Sequence, residues 1–194
     1  MKLNKDLLRP GDIILVHTNG FEPVSWAIRT LTKSFFNHCA LYVGDNFVVE
    51  ALMGGVVKIP IEKYLDNNKY DYKVVRIKPE AFLDIKEYEN GIGAAVEMIE
   101  NFIGKRYDFG AIAWIGIKYI LKGINKNIPF FKNNLFQGRE RFFCSELICQ
   151  CYYKVSSLHY YLFQGKTKQK CSSTTPKDLG KSEYVNFIDG VNKQ

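Results

Sequence analysis

The chain is 194 residues long, 46% hydrophobic and 24% charged, with a formal net charge of +7. That length and apolar content suit one globular domain, expected over residues 1–194 with its core at about 9–180, and they exclude a disordered chain. The positive balance reads first as solvated surface lysine and otherwise as attraction to an anionic partner. The lysines from Lys118 to Lys132 and the cluster Lys166, Lys168, Lys170 lack the interleaved aromatics of a stacking platform, so an anionic surface fits better than nucleic acid, which is not expected.

The five cysteines are Cys39, Cys144, Cys149, Cys151 and Cys171. No spacing among them has a Cys-x-x-Cys or zinc-ribbon form, so neither a disulfide nor structural zinc is expected, and no metal or other cofactor is called for. The stretch Met1 to Pro10 has no apolar signal-peptide core, which favours the cytoplasm. The longest apolar segment, Phe109 to Leu121, is interrupted by Lys118; it is too short to span a bilayer and reads as a core helix.

In chain order, the turn Pro10-Gly11-Asp12 leads into Ile13-Ile14-Leu15-Val16-His17, a continuous apolar run that suits a buried strand. From Pro23 to about Lys33, Val24, Ala27, Ile28 and Leu31 fall at helical intervals. Asn37 to Val43 and Phe47 to Ala51 flank Gly44-Asp45-Asn46 and read as a β-hairpin. With a three-residue loop, facing positions place Glu50 opposite Ala40, on the same side of the sheet as His38. A two-residue loop, Asp45-Asn46, places them on opposite faces, so the register carries functional weight.

Gly54-Gly55 is a further turn, Val56 to Pro60 a strand, Tyr64 to Asn68 a short helix or loop, and Tyr72 to Ile77 another strand. Tyr88 to Phe102 carries the clearest amphipathic stripe, stopped by Gly104. Lys122 to Gly138 is polar, asparagine-rich and broken by Pro129, a surface excursion. Pro176 opens a brief helical turn at Thr175 to Leu179. Strands first and helices later imply an α+β layout.

After Phe143-Cys144, the residues Leu147, Ile148, Cys151, Tyr152 and Val155 recur at helical spacing. Cys144 is thus expected as the first residue of a helix, where unpaired N–H groups and the positive end of the macrodipole favour thiolate over thiol. An ordinary buried cysteine is the competing reading. Of the three histidines, His38 shares a predicted hairpin with the carboxylate Glu50; His17 is the rival base and His159 lies in an unpatterned stretch. A cysteine hydrolase needs a thiolate, an imidazole and a group that orients the ring. Spacing alone does not bring Cys144 to His38.

The order Pro10-Gly11-Asp12, Ser34, Asn37-His38-Cys39-Ala40-Leu41-Tyr42-Val43-Gly44, Val49-Glu50-Ala51, Gly104-Lys105-Arg106-Tyr107-Asp108 and Phe143-Cys144-Ser145-Glu146-Leu147 resembles the circularly permuted branch of the NlpC/P60 superfamily. It is most similar to the YiiX/YebB-like cysteine hydrolases. The likeness runs from about residue 9 to 180 and leaves 118–138 unmatched. It implies a papain-like α+β fold, an antiparallel sheet packed against helices that include the one opened by the nucleophile. It implies Cys144 as nucleophile, His38 as general base and then acid, and Glu50 as the residue that orients His38. Tyr107 is implied as a donor near the oxyanion, with core packing as its alternative, and Ser145 as a residue of the pocket wall. Asp12 reads as a turn-stabilising acceptor. The expected substrate is a peptide, amide or acyl small molecule. Amide cleavage, thiol acyl transfer or lipid hydrolysis, and ligand binding without turnover stand as the three functional alternatives.

Overall fold

A computed structural model describes residues 2–19, 29–30, 34–65, 69–107, 141–155, 162–163, 171–188 and 192–193. Six strands form one antiparallel sheet: β2 (Ile13–Thr18), β3 (His38–Gly44), β4 (Phe47–Leu52), β5 (Gly55–Pro60), β6 (Tyr70–Ile77) and β9 (Val185–Phe187), in the order β5-β4-β3-β2-β6-β9. Two small pairs lie outside it, β1 (Lys2–Leu3) with β10 (Asn192–Lys193), and β7 (Arg106–Tyr107) with β8 (Arg141–Phe142). Among the described residues, the α-helices with both ends described are α1 (Glu62–Leu65), α2 (Ile85–Glu100), α3 (Cys144–Val155) and α4 (Pro176–Lys181).

The continuous apolar runs of β2 and β3 become central strands because both of their faces are covered. On one face, Ile13, Leu15, Cys39, Leu41, Val49 and Val75 pack with Ala95 and Ile99 of α2 and with Cys144, Leu147, Ile148 and Cys151 of α3. On the other, Ile14, Val16, Ala40, Tyr42 and Val48 pack with Ile61, Tyr64, Tyr72 and Val74. The period of two along each strand sorts the side chains into these two layers.

The hairpin between β3 and β4 settles the register in a way that neither simple loop length anticipates. Its turn is the two residues Asp45 and Asn46, at φ 50° and 63°, the left-handed pair that a tight hairpin requires. Gly44 pairs with Phe47, yet Tyr42 pairs with Val48 and Leu41 with Val49, so Val43 is an extra, bulged residue. The bulge restores the register that a three-residue loop would give, and His38 and Glu50 share a face.

The remaining elements follow from local chemistry. The Asp84 side chain accepts the Glu87 N–H at 2.7 Å and caps α2, which starts at Ile85, three residues before the apolar stripe anticipated from Tyr88. A capping box between Thr175 and Asp178 opens α4. Asp12 accepts from the Arg9 N–H at 2.8 Å and takes a two-pronged ion pair from Arg76 at 2.6 and 2.7 Å, the turn-stabilising role expected of it, extended by an arginine from β6. Strand β9 was not foreseen, since three residues are too few to show a period. Of the helix expected over 23–33, residues 29–30 are helical and the others lie outside the described residues, as do the core helix expected over 109–121 and the excursion expected over 122–138.

The expectation that the chain has no disulfide is overturned. Cys149 on α3 is bonded to Cys171, with the Cα atoms 5.4 Å apart. The short 3-10 turn at Cys171–Ser173 packs on α3, an approach in space to which a 22-residue separation gives no clue. A cystine is favoured by oxidising compartments, which weighs against the cytoplasmic location expected from the N-terminus. No helix among the described residues is long and apolar enough to cross a membrane.

Candidate active site

The entry to β3 is fixed before His38 begins. Asn37 donates its N–H to the Val16 carbonyl at 3.0 Å, accepts the Thr18 N–H at 2.8 Å and donates to the Thr18 hydroxyl at 3.0 Å. Since β2 and β3 also pair Val16 with His38, the backbone under the imidazole is held on both sides of that residue. His38 shares the face of Ala40 and Tyr42, while Cys39 points into the helix-covered layer beside Cys144. As the first residue of its strand, His38 stands at the sheet margin, where one ring meets both Glu50 and Cys144.

Glu50, 1% exposed, accepts three hydrogen bonds. His38 Nε2 and the Tyr64 hydroxyl, at 2.7 Å, share Oε2, while Lys63 Nζ donates to Oε1 at 2.8 Å. Lys63 and Tyr64 belong to α1, which begins where β5 ends; the Ile61 N–H bonds to the Asn46 carbonyl at 2.8 Å and folds this segment back on the hairpin. Tyr64 is held edge-on against Tyr70 and Tyr72, each at 5.7 Å between ring centres. The sequence showed α1 only as a short helix or loop, and no pattern in it marked Lys63 or Tyr64. A lysine and a tyrosine three and four residues after a strand are unremarkable until that strand is known to lie beside Glu50.

Cys144 is the first residue of α3, and the helical ladder begins with the Leu147 N–H donating to the Phe143 carbonyl at 3.0 Å. The N–H of Cys144 thus precedes the ladder, in the first turn where backbone donors lack helical partners. The helix is anchored from two sides: Tyr152 donates to the Gly11 carbonyl at 2.6 Å, and Ser145 to the Thr174 carbonyl at 2.8 Å. Ser145, expected at the pocket wall, is fully buried in that anchor. Gly11 must be glycine here, because its φ is +91° and an added Cβ would stand 2.6 Å from Ile92.

Residues 7–113 match the model of a family described as permuted papain-like amidase enzymes, YaeF/YiiX, C92. The chain belongs to this family. In the C92 match lie His38 and Glu50, whereas Cys144 falls beyond it. A further comparison gives 30% identity over 87 residues to the probable lipoprotein peptidase YaeF of Escherichia coli strain K12, covering 44% of this chain and 31% of that protein. The matched stretch therefore spans under a third of the relative's length.

Within this C92 chain the electrostatics of the three side chains are interdependent. A hydrogen bond from the Cys39 thiol does most to hold Cys144 well below the ordinary thiol range; burial opposes it, and the charge and N–H of His38 assist it. Burial works against a charged His38, but the negative sulfur of Cys144 and the Glu50 carboxylate outweigh it and raise the imidazole to about 10. For Glu50, burial is outweighed by His38, Lys63 and Tyr64, which lower it to about 2. Burial, and then the neighbouring Cys144, push the Cys39 thiol well up, so that it stays a donor. These directions favour a thiolate–imidazolium pair with a carboxylate behind it.

His17, the rival base, is placed elsewhere: its Nδ1 bonds to the Phe35 carbonyl at 2.6 Å and its ring stacks on Phe35 at 4.1 Å. His159 lies outside the described residues. The side chain of Tyr107 does too, although its backbone in β7 runs parallel to β8 and pairs with Phe142, two residues before Cys144. That placement depends on Gly55, at φ +123°, where an added Cβ would stand 2.7 Å from the Lys105 carbonyl; the neighbouring Val56 N–H bonds to that same carbonyl at 2.8 Å. Among the described residues no group of three His, Cys, Asp or Glu side chains could hold a metal ion.

Proposed function

We propose that this chain cleaves an amide or peptide bond through a thioester on Cys144. The observation that carries the reading is the single imidazole of His38, hydrogen-bonded to the buried Glu50 on one side and beside the Cys144 sulfur on the other. In the resting pair the sulfur is already the nucleophile. It attacks the carbonyl carbon and the carbonyl π electrons move onto oxygen. The Cys144 N–H, ahead of the helical ladder, and the positive end of α3 would favour that oxyanion. As the C–N bond breaks, His38 gives its proton to the departing amine and becomes neutral. It then removes a proton from water, whose oxygen attacks the thioester and releases the acid and the thiolate. Glu50 keeps the ring in one tautomer and one orientation throughout, and Tyr107 would add a second donor to the oxyanion.

Family membership supports amide cleavage over transfer of a fatty acyl group, and the relative's printed name, a probable lipoprotein peptidase, supports a peptide substrate. Substrate identification and mechanism can be tested together. The full-length protein is incubated with peptide amides, quenched in acid and analysed by mass spectrometry of the Cys144 peptide. An aminoacyl or peptidyl adduct on Cys144 is expected, absent from Cys144→Ser. A fatty acyl adduct formed from phospholipid instead, or continued turnover by Cys144→Ser, overturns the proposal.

A further inference from the structure

The triad as described leaves one question open: what keeps Glu50 facing His38. A carboxylate on a glutamate stem can rotate and present either oxygen, and an orienting group that itself wanders orients nothing. Here each oxygen is claimed. Lys63 Nζ holds Oε1 at 2.8 Å, and the Tyr64 hydroxyl holds Oε2, the oxygen that His38 uses, at 2.7 Å. Two donors on two different oxygens fix both the plane of the carboxylate and the identity of the oxygen that meets the imidazole.

We propose that Tyr64 and Lys63 are positioning residues of the active site, acting on His38 through Glu50; this rests on the reading of Cys144, His38 and Glu50 given above. Their shares differ because their surroundings differ. Tyr64 is 1% exposed and clamped by Tyr70 and Tyr72, so its contribution is geometric and dry. Its proton is secure as well, since burial and the adjacent carboxylate raise the phenol well above its ordinary value. The Lys63 side chain is 34% exposed, so its contribution is a charge that solvent and salt partly screen. That charge balances Glu50. Without it, an uncompensated carboxylate would bind the His38 proton more tightly and make the imidazolium a poorer acid toward the departing amine.

The residue pair also explains the placement of α1. A single helical turn at the end of β5 has little helical stability of its own. Its two middle residues nevertheless project back over β4 onto one glutamate.

The test is the pH dependence of iodoacetamide alkylation at Cys144, followed on the Cys144 peptide by mass spectrometry, in the full chain and in Tyr64→Phe, Lys63→Met, Lys63→Arg and Glu50→Gln. Tyr64→Phe keeps the ring in its aromatic clamp and removes only the donor. The loss of one hydrogen bond to a charged group leads us to expect alkylation about tenfold slower at pH 6. Lys63→Met is expected to move the upper limb of the profile to higher pH, more so at low salt, and Lys63→Arg to restore it. In a Glu50→Gln background both substitutions should add nothing further, because their route to His38 is gone. Equal effects with and without Glu50, or wild-type profiles in both single variants, would overturn the positioning role while leaving the triad intact. Loss of fast alkylation in the wild type itself would instead overturn the underlying reading of Cys144.

Discussion

Asp12, just before β2, and Glu50, on β4, are two buried carboxylates, each accepting three hydrogen bonds, and in the proposed reading they serve different ends. Asp12 faces a guanidinium that holds its proton at any working pH, and the pair ties the first turn to β6. Glu50 faces an imidazole whose proton can move, and the charge on that imidazole is favoured by the neighbouring Cys144 sulfur. Burial and hydrogen-bond count do not separate a structural carboxylate from a chemical one. The mobility of the partner's proton does.

That contrast can be broken most decisively at the sulfur. Cys144→Ala should lower turnover by at least about ten-thousandfold, as loss of a nucleophile does, with the acyl adduct absent by mass spectrometry. One step down, Glu50→Gln should lower kcat by about a hundredfold or more while the fold survives, since an orienting group is removed and an acceptor remains. Asp12→Asn should do the reverse. It leaves Arg76 without its counter-charge and destabilises the chain by about 3 kcal/mol in urea melts, yet the folded fraction should alkylate at Cys144 near the wild-type rate. If Asp12→Asn lost catalysis and kept stability, the division between the two carboxylates would be wrong.

A smaller effect sharpens the same contrast through pH. In the proposed folded state Cys144 surrenders a proton that His38 retains, whereas the unfolded chain reverses them between the ordinary values of 6.5 for imidazole and 9.0 for thiol. Folded and unfolded states then hold equal numbers of protons, so the pair's contribution to stability should be flat between those values. Below 6.5 the unfolded chain holds a proton more than the folded pair, and stability falls as pH falls. Glu50 adds to that fall between its ordinary 4.5 and about 2, because its depressed carboxylate contributes only while ionised. Above 9.0 the folded imidazolium, raised to about 10, keeps a proton that the unfolded chain has lost, so stability falls again. Urea melts of wild type and Cys144→Ala across pH, subtracted, should show this plateau; a slope through pH 7 to 8 would show that the thiolate–imidazolium pair does not form.

The smallest change is expected at Cys39. Cys39→Ala removes the buried thiol that favours the Cys144 thiolate and should slow alkylation about fivefold at pH 6, as loss of a weak hydrogen bond to a charged acceptor would, with a smaller change at pH 9 where the thiolate no longer needs the help.

Much of the fold was legible because its signals are local. The runs Ile13 to His17 and Phe47 to Ala51, the stripe from Tyr88, and the apolar spacing after Cys144 each depend on a period that a dozen residues can express. Candidate roles for Cys144, His38 and Glu50 were legible too, since a chain with three histidines leaves few choices and the family resemblance orders them. The register was half legible: alternation showed that His38 and Glu50 must share a face to cooperate, but a bulge at Val43 cannot be read from Tyr42-Val43-Gly44.

The sequence by itself determined the alternation of the strands, the helical start at Cys144 and the residue types that a thiol hydrolase needs, because each is set by neighbours along the chain. Only the tertiary structure decided that Lys63 and Tyr64 close around Glu50, that Cys39 lies in the same buried layer as Cys144, that Ser145 anchors on Thr174, and that Cys149 meets Cys171. Those contacts join segments whose separation in sequence says nothing of their distance. They form because two layers must pack on one sheet, and the packing chooses which polar groups meet.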